Sequence, residues 1–463
     1  MPIFSIAEGH WSIRVVRTAA PPSMPRTTKR QPPARAVPGS AVKLGGATQR
    51  LLPELVPLRF FGVAVFAHAA TWAGILLFAE AFPGFHGGIG PALAVLHVAV
   101  LGVLLASAMG ASFQMLPVAF ALPPPPKWIC DAAFVLLVGG GAGLVLGFSL
   151  TEPLLIIGGG ALLGGAVAFH LATVARLVWR SGDHSPFRWH IAAALLAIVA
   201  AVTLAIGLAL DFRLGGLENH QGVALTHFIL AGFGFMGLFV MGFSQILVPM
   251  FAVAEPVGEN WAWAAFGLAV LAIAGSAAGA LADASPLLTA GAVTGFCAAL
   301  CHVRQMTLIL KGRMRTRLGQ EFVLIKTAWI VFPLSLGISL MISLDIGPDT
   351  LPVFFFFIVI FGWYLTFLFG VLQRILPFLA SMHAARLGAK ALSPAKLTSP
   401  DRLTIHQWCH FVALSLVGAG LLLGNVALIR LGALAGMVGA ISFIVFGFEV
   451  LKRTRAHLAG TPT

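Results

Sequence analysis

The sequence is poor in charged residues. Only 10% of its 463 residues are Asp, Glu, Lys or Arg, whereas about 25% is usual for a soluble globular protein. Because 59% of the residues are apolar and the mean hydropathy is +0.95, charged groups are too few to cover a surface that faces water. The composition therefore predicts an integral membrane protein, with the lipid bilayer as its solvent.

The chain also has few cysteines and lacks the motifs that are common in soluble enzymes. The chain has no P-loop, no Rossmann glycine fingerprint and no H-E-x-x-H motif, which excludes those soluble enzyme classes. The formal charge of +13 is spread in short clusters between apolar stretches, so we interpret it as a topology signal and expect no nucleic-acid partner. All four cysteines lie in or beside apolar segments, where a disulfide framework is implausible: Cys130, Cys297, Cys301 and Cys409.

The chain begins with a basic, proline-rich stretch. Residues 1–52 contain no apolar run long enough to span a membrane, and we expect a disordered cytoplasmic tail there. A targeting peptide is the alternative, but a secretory signal needs an apolar core of about 7–15 residues, and none is visible. Residues 53–455 then form a membrane domain, and 456–463 form a cytoplasmic C-terminal tail.

Twelve apolar segments follow the tail, each of about 20 residues, the length that crosses a bilayer. Lys and Arg concentrate in the connections on one side, which is also the side of both termini. The positive-inside rule therefore places both termini in the cytoplasm, and a bacterial inner membrane is the expected location. The segments lie at roughly 58–82, 91–121, 128–149, 153–179, 189–212, 221–251, 259–282, 287–310, 323–344, 352–380, 404–424 and 428–451.

A repeated motif ends the second, sixth and tenth segments, which read FQMLPVAFAL, SQILVPMFAV and LQRILPFLAS. The copies lie four helices apart, which predicts an all-α fold with a pseudo-threefold arrangement of four-helix units at approximately 58–179, 189–310 and 323–451. A single copy is explained equally well as a helix end whose Gln bonds a neighbouring helix. The motif residues are Gln114, Pro117, Gln245, Pro249, Gln373 and Pro377.

Several histidines lie inside the apolar segments, where an ionisable residue is a functional candidate by default. His97 and His227 precede the motif in the second and sixth segments, and the third copy has Phe356 instead. His68 in the first segment and His170 in the fourth are isolated, and such residues are often only hydrogen-bond partners between helices. The short connection between the first two helices is expected to bring His68 toward His97.

His406 and His410 lie four residues apart at the start of the eleventh segment. This spacing puts both rings on one helix face, as in helices that supply two metal ligands. The alternative is that interfacial histidines bond to loops or headgroups, and two ligands leave a tetrahedral site half filled. Cys297 and Cys301 repeat the spacing, but a buried free cysteine commonly behaves as a small hydrophobe.

Twelve helices in three quartets, with histidines in the outer parts of the second and sixth, resemble the subunit I superfamily of heme-copper oxidases. The H…G…Q-x-L-P segments resemble in particular the divergent NnrS proteins of that superfamily, which contain heme and copper and are tied to nitric oxide stress. The resemblance covers roughly 58–451. It implies that His97 is an axial heme ligand and that His227 binds copper.

The sequence departs from the family at the remaining ligands. The seventh segment has Trp261 and Trp263 but no His-His pair, and the tenth lacks the two histidines that bind the two hemes. A standard oxygen-reducing centre therefore cannot be assembled, and neither terminal oxidase activity nor oxidase-type proton pumping is expected. The catalytic residues remain unassigned.

Two functions are compatible with these features. The first is a heme-binding and also copper-binding membrane protein of oxidase-like fold, acting in nitric oxide response or membrane redox chemistry with a cytochrome or another electron donor. The alternative is a transporter or channel for a small solute or metal ion, although the aspartates near helix ends form no proton-relaying chain. The expected cofactor-binding residues are His97, His227 and His68, and the expected ligands of a metal ion are His227, His406 and His410.

Overall fold

The computed structural model describes residues 47–389 and 392–460. Most of the tail predicted at the N-terminus lies outside these residues. Its last part does not: Ala47–Arg50 form a short 3-10 turn, and Leu51 and Leu52 are buried. The Gln114 side chain accepts a hydrogen bond from the Leu52 nitrogen at 3.2 Å, and Arg386 donates to the Leu51 carbonyl at 2.6 Å. The packed domain thus begins before residue 53.

Twelve helices are long and apolar enough to cross a membrane, which confirms the predicted all-α integral membrane fold. The last of them continues to Leu458, so residues 456–458 are helical and not part of a tail. In chain order the helices are α1 Leu55–Leu77, α2 Pro91–Ala119, α3 Lys127–Leu150, α4 Pro153–Arg180, α5 Pro186–Leu214, α6 His220–Ala252, α7 Asn260–Leu281, α8 Ser285–Lys311, α9 Glu321–Ser343, α10 Leu351–Arg386, α11 Pro400–Leu422 and α12 Val426–Leu458.

The same helix contacts recur every four helices. Within each unit the first helix packs along the second, and the third and fourth form a tight hairpin. Adjacent units join through the fourth helix of one and the first helix of the next, namely α4 on α5, α8 on α9 and α12 on α1. Because the last of these junctions closes the ring, the twelve helices form the predicted pseudo-threefold array.

The second helix of each unit lies at the centre. Helices α2, α6 and α10 are the most buried of the twelve, and α2 contacts α10 across the middle of the bundle. Each contains a π-helical segment, at Val98–Leu105, Ile229–Gly237 and Ile358–Leu365. A π-turn has one more residue than an α-helical turn, so it changes which backbone carbonyls accept hydrogen bonds within the helix. Such segments are frequent at functional sites. These three segments are not apparent from hydropathy.

Two glycines and a proline recur in each central helix at one spacing, Gly-x7-Gly-x6-Pro. A Cβ at any of the six glycines would lie only 2.6–3.1 Å from a side chain of the first helix of the same unit. The triplets are Gly102, Gly110 and Pro117, then Gly234, Gly242 and Pro249, then Gly362, Gly370 and Pro377. Their partners are Ala67, Ala197 and Val331 at the first glycine, and Phe60, His190 and Leu324 at the second.

This register corrects the alignment of the predicted motif. Gln245 and Gln373 both lie four residues before the proline, whereas Gln114 lies three before it, so Phe113 is the equivalent residue in α2. The period of four helices is therefore right, but the three glutamines are not one repeated position. The glycines make the contact that all three units share.

The outer hairpins carry a second repeat, Gly-x11-Gly, in which the two glycines lie on the third and fourth helices of a unit. A Cβ on Gly147 would lie 2.7 Å from the backbone nitrogen of Ile156, and one on Gly159 would collide with the backbone nitrogen of Leu144. This confirms that the glycine clusters of α3 and α4 form a tight helix interface, as small residues do in membranes. The other pairs are Gly279 with Gly291 and Gly420 with Gly432.

Two adjacent glycines of α4 provide a test of this packing. Gly159 faces the backbone of α3, whereas Gly158 is exposed and has open space around it. We expect Gly159→Ala to lower the free energy of unfolding by about 1–3 kcal/mol, because neither backbone can give way. Gly158→Ala should leave stability unchanged or slightly raised. Thermal unfolding of both variants in detergent measures the difference, and equal stability would contradict the interface.

Candidate functional site

Three of the predicted ligand histidines lie together in the bundle. His68 of α1 and His406 of α11 have ring centroids 5.9 Å apart, and His406 and His410 are separated by the same distance. All three side chains are buried. We call these residues the histidine cluster. It lies where α12 closes the ring onto α1, so it joins the first unit to the third.

Glycines on α12 bring the two histidine-bearing helices close together. A Cβ on Gly439 would lie 2.9 Å from the Cys409 Cβ and 3.3 Å from the His406 carbonyl oxygen. One turn earlier, Gly436 is covered by the Trp72 ring of α1, which leaves no room for a Cβ. Because these glycines have no side chains, α12 takes up little space at this level. The side chains of α1 and α11 therefore meet across it.

Aromatic rings surround the cluster. The Phe369 ring of α10 lies 4.0 Å from His68 and 5.2 Å from His406, and the Phe443 ring of α12 lies 4.8 Å from His406. The indole of Trp72 packs edge-on against His68 at 6.1 Å. In such apolar surroundings an imidazole is favoured in its neutral form, which is the form that binds metals.

Among the residues that the structure describes, only the His410 imidazole of the cluster has a hydrogen-bond partner. His410 Nε2 lies 2.7 Å from Thr366 Oγ1, which also lies 2.9 Å from the Phe361 carbonyl in the π segment of α10. Because the Thr366 hydroxyl donates its one proton to that carbonyl, it accepts from His410 Nε2–H. The proton is then on Nε2, and His410 Nδ1 keeps a free lone pair.

Four imidazole nitrogens of the cluster lack hydrogen-bond partners. Within the described chain, His68 Nδ1, both nitrogens of His406 and His410 Nδ1 are buried without a hydrogen bond. Burying a polar group without a hydrogen bond costs roughly 1–3 kcal/mol by mutational measures, so native proteins rarely leave four such atoms in one place. A metal ion could bind one lone pair from each of the three rings, whereas the second nitrogen of His406 carries a proton and needs a hydrogen-bond acceptor.

The donor set suits a transition-metal ion better than a porphyrin. Three neutral imidazoles are ligands that copper, zinc and iron favour. Phe369 contacts both His68 and His406, so a porphyrin plane between those two rings would have to displace it, whereas a single ion would not.

The rings of His406 and His410 are nearly parallel, at 18°, and no three His, Cys, Asp or Glu side chains of the described residues form a complete metal site. Binding would therefore require the rings to rotate.

The other two predicted ligands lie elsewhere in the bundle. His97 Nδ1 bonds the Leu93 carbonyl at 2.9 Å, and its ring packs on Phe148 of α3 at 4.7 Å. His227 Nδ1 bonds the Ala201 carbonyl of α5 at 2.9 Å. In each of these histidines the bond to the carbonyl puts the proton on Nδ1 and leaves the Nε2 lone pair free.

Helices α1 and α2 are neighbours, as the short connection predicts, but their histidines face different partners. His68 points to α10 and α11, and His97 points to α3. The expected approach of His68 to His97 is therefore replaced by the contact between His68 and His406. Sequence spacing could not show this, because the two rings meet only through closure of the ring by α12.

The remaining polar candidates have local partners. Ser112 Oγ lies 2.7 Å from His170 Nε2, so that nitrogen is bonded to a neighbouring helix, as the simpler interpretation predicts, whereas His170 Nδ1 is buried without a partner in the part of the chain that the structure describes. The Tyr364 hydroxyl donates to the Gly232 carbonyl in the π segment of α6 at 3.0 Å. Cys297 is exposed and Cys301 is half-buried, so this pair forms no buried site.

An apolar cavity of about 60 Å³ lies between the three central helices. Among the side chains that line it, only Ser107 and Tyr364 carry a polar group, and the Tyr364 hydroxyl is already bonded to a carbonyl. A hydrated ion or polar solute would find only the Ser107 hydroxyl as a partner there, whereas a buried water alone needs two to four polar partners.

Comparison with models of protein families gives no match, and comparison with curated proteins gives none either. The likeness to heme-copper oxidases therefore rests on the residues and helix arrangement described above.

Two serines of α2 test the hydrogen bond to His170. Both are buried, but Ser112 bonds His170 whereas Ser107 Oγ has no partner in the described chain. We expect Ser112→Ala to lower the free energy of unfolding by about 1–3 kcal/mol, because His170 Nε2 would be left without a partner. Ser107→Ala should be neutral or stabilising. Denaturation in detergent compares the two, and equal effects would contradict the assignment.

Proposed function

We propose that the protein is a copper-binding membrane redox protein of oxidase-like architecture, acting in nitric oxide response or related redox chemistry. The histidine cluster, His68, His406 and His410, holds the copper ion. The observation that carries this proposal is the set of four buried imidazole nitrogens without hydrogen bonds in one place. Bound copper would supply one-electron chemistry, and a cytochrome or another donor would deliver the electrons.

The chemistry of the cluster favours copper over harder ions. All the nearby donors are neutral nitrogens, and no carboxylate belongs to the cluster, so Mg²⁺ or Ca²⁺ would lack their oxygen ligands. Copper stands at the top of the affinity order for nitrogen sites among divalent first-row metals. The enclosing rings of Phe369, Phe443 and Trp72 would keep water from the metal and so influence its potential.

Heme enters the proposal through His97. Its Nδ1 is bonded to the Leu93 carbonyl, which orients the ring and leaves Nε2 to bind iron, the arrangement that second-shell contacts give to ligating histidines. His227 has the same kind of bond, to Ala201. These two residues support heme binding less strongly than the cluster supports copper, because neither Nε2 is enclosed by other donors.

The transporter alternative lacks such support. A polar solute needs hydrogen-bonding groups along its path, and the cavity between the central helices offers only Ser107 and Tyr364. We place the protein in a bacterial inner membrane with both termini in the cytoplasm, since the basic residues gather in the connections on that side.

Substitution of His406 tests the copper site. The equivalent positions of the other two units hold Ala133 and Ala265, so His406→Ala installs a residue that the repeat already tolerates. We expect the purified wild-type protein to contain copper and His406→Ala to bind it at least roughly tenfold more weakly. The control is Gln407→Phe, which installs the residue found at Phe134 and Phe266 and should retain copper. Metal analysis on protein from copper-supplemented cells gives the result, and copper retained in His406→Ala would contradict the proposal.

A reduced-minus-oxidised absorption spectrum tests the heme part on the same samples. We expect a heme band in the wild-type protein and in His406→Ala, and no band in His97→Ala, because His97 Nε2 would bind the iron. A band that survives in His97→Ala excludes His97 as the ligand. A colourless wild-type protein from cells rich in heme would exclude heme and leave the copper result to stand separately.

A further inference from the structure

The wall of the cavity between the central helices follows the internal repeat. Residues at the same distance from Gly110, Gly242 and Gly370 occupy equivalent positions in α2, α6 and α10. By this register, almost the whole wall consists of five sets of equivalent residues, and each central helix supplies one residue to every set. The cavity therefore lies on the pseudo-threefold axis of the bundle. One of these sets is Leu104, Met236 and Tyr364.

Helix α2 has small side chains at three of the five positions. Ser107, Ala108 and Ala111 line the cavity where both of the other central helices have larger apolar residues. Protein interiors are normally close-packed, so the small residues of α2 leave space on the axis that its two equivalents would have filled. The residues at these positions are Phe239, Val240 and Phe243 in α6, and Phe367, Leu368 and Val371 in α10.

The wall of the cavity is chemically suited to an apolar molecule. Of the side chains that line it, only those of Ser107 and Tyr364 are polar, and the Tyr364 hydroxyl already donates its proton to the Gly232 carbonyl at 3.0 Å. Ser107 is 3% exposed, and its hydroxyl has no partner in the described chain. A buried water usually makes about three hydrogen bonds, whereas apolar cavities stay dry and bind apolar molecules. The wall therefore favours a neutral, apolar occupant over water or an ion.

The volume of the cavity limits the size of its occupant. A site for a single water molecule needs about 10–15 Å³, and an apolar cavity of about 150 Å³ accommodates benzene. The volume here, about 60 Å³, lies between these two. An empty space of this size is unfavourable, because the atoms of its wall lose dispersion contacts that an occupant would restore.

From the position, wall and volume of this cavity we infer that it binds one small neutral apolar molecule of two or three heavy atoms, such as a diatomic gas. The site requires no charged group and no metal ion. It is separate from the histidine cluster, which lies where α12 closes the ring onto α1.

Helix α10 lies between the cavity and the histidine cluster. Phe367 lines the cavity, whereas its neighbour Thr366 bonds His410 and Phe369 packs on His68. A molecule in the cavity would therefore be one helix away from the proposed copper ion. Nitric oxide belongs to the class of molecule that the cavity fits, and this link alone rests on the proposed function.

The repeat supplies conservative variants that fill the cavity. Ala108→Val installs the residue that α6 has at the same position, Val240, and Ala111→Val installs that of α10, Val371. Both side chains would extend into space that is now empty. The double variant Ala108→Val/Ala111→Val should therefore leave too little room for a ligand.

The opposite change and a matched control come from the same repeat. Leu368→Ala installs in α10 the small residue that α2 has at this position, and it enlarges the cavity. Ala119→Leu installs the residue of α10, Leu379, but Ala119 lies outside the cavity wall. This control adds bulk to the same helix without filling the cavity.

Xenon is a suitable probe, because it is neutral and binds in apolar cavities. Crystals of the metal-free protein under xenon pressure reveal bound xenon as a peak in an anomalous difference map. We expect a peak on the axis in the wild type and in Ala119→Leu, loss of the peak in Ala108→Val/Ala111→Val, and higher occupancy in Leu368→Ala. No peak on the axis of the wild type, or a peak retained in the double variant, overturns the site. Because no metal is present, this result is independent of whether copper binds at the cluster.

Thermal unfolding in detergent separates filling of the cavity from loss of fold. Because the two valines occupy empty space, we expect the midpoint of the double variant to equal or exceed that of the wild type. Xenon should raise the midpoint of the wild type more than that of the double variant, and an equal rise would also contradict the site. Unchanged xenon occupancy in Leu368→Ala would overturn it however well the double variant folds.

Discussion

The close approach of helix backbones at the repeated glycines is the constraint on which the rest of the structure depends. Lipid gives helices no hydrophobic reason to associate, so the bundle relies on packing at short range. Gly102 and Gly110, and the equivalent glycine pairs of the other two units, bring the first helix of each unit onto its central helix. The Gly-x11-Gly pairs close the outer hairpin of each unit. The ring of three units follows, and with it the meeting of α1, α10, α11 and α12 around the histidine cluster.

Repetition of one scaffold allows each unit to carry different chemistry. The first unit fills its interior with phenyl rings, and the second replaces two of them by His190 and Gln245. The third has no histidine at these two positions, and its His406 and His410 instead join His68 at the junction with the first unit. Polar groups buried this deeply are unfavourable unless they are bonded or bind a ligand, so the differences between equivalent positions mark the candidate sites.

Hydropathy and charge content were sufficient to predict the class and the twelve helices, because these depend on local composition and segment length, whereas the fourfold period was predicted from the repeated Gln and Pro motif. The Gln and Pro motif identified the right helices, although Gln114 proved to be one residue out of register with Gln245 and Gln373. His406 and His410 were predicted as a pair from their spacing, but their contact with His68 depends on ring closure and has no local signal. His190 was missed because nothing near it in sequence marks it, and the glycine register is the signal that could have shown that it replaces Phe60 of the first unit.

The most direct measurement for the central claim is a cryo-EM comparison of copper-loaded and metal-free protein, both in detergent. The account predicts a strong density peak about 2 Å from a nitrogen of His406 in the loaded sample, the usual distance from a metal to imidazole, with His68 or His410 turned toward it. The peak should be absent from the metal-free map. Imidazoles bonded to water or to each other in both maps, with no copper peak among them, would contradict it.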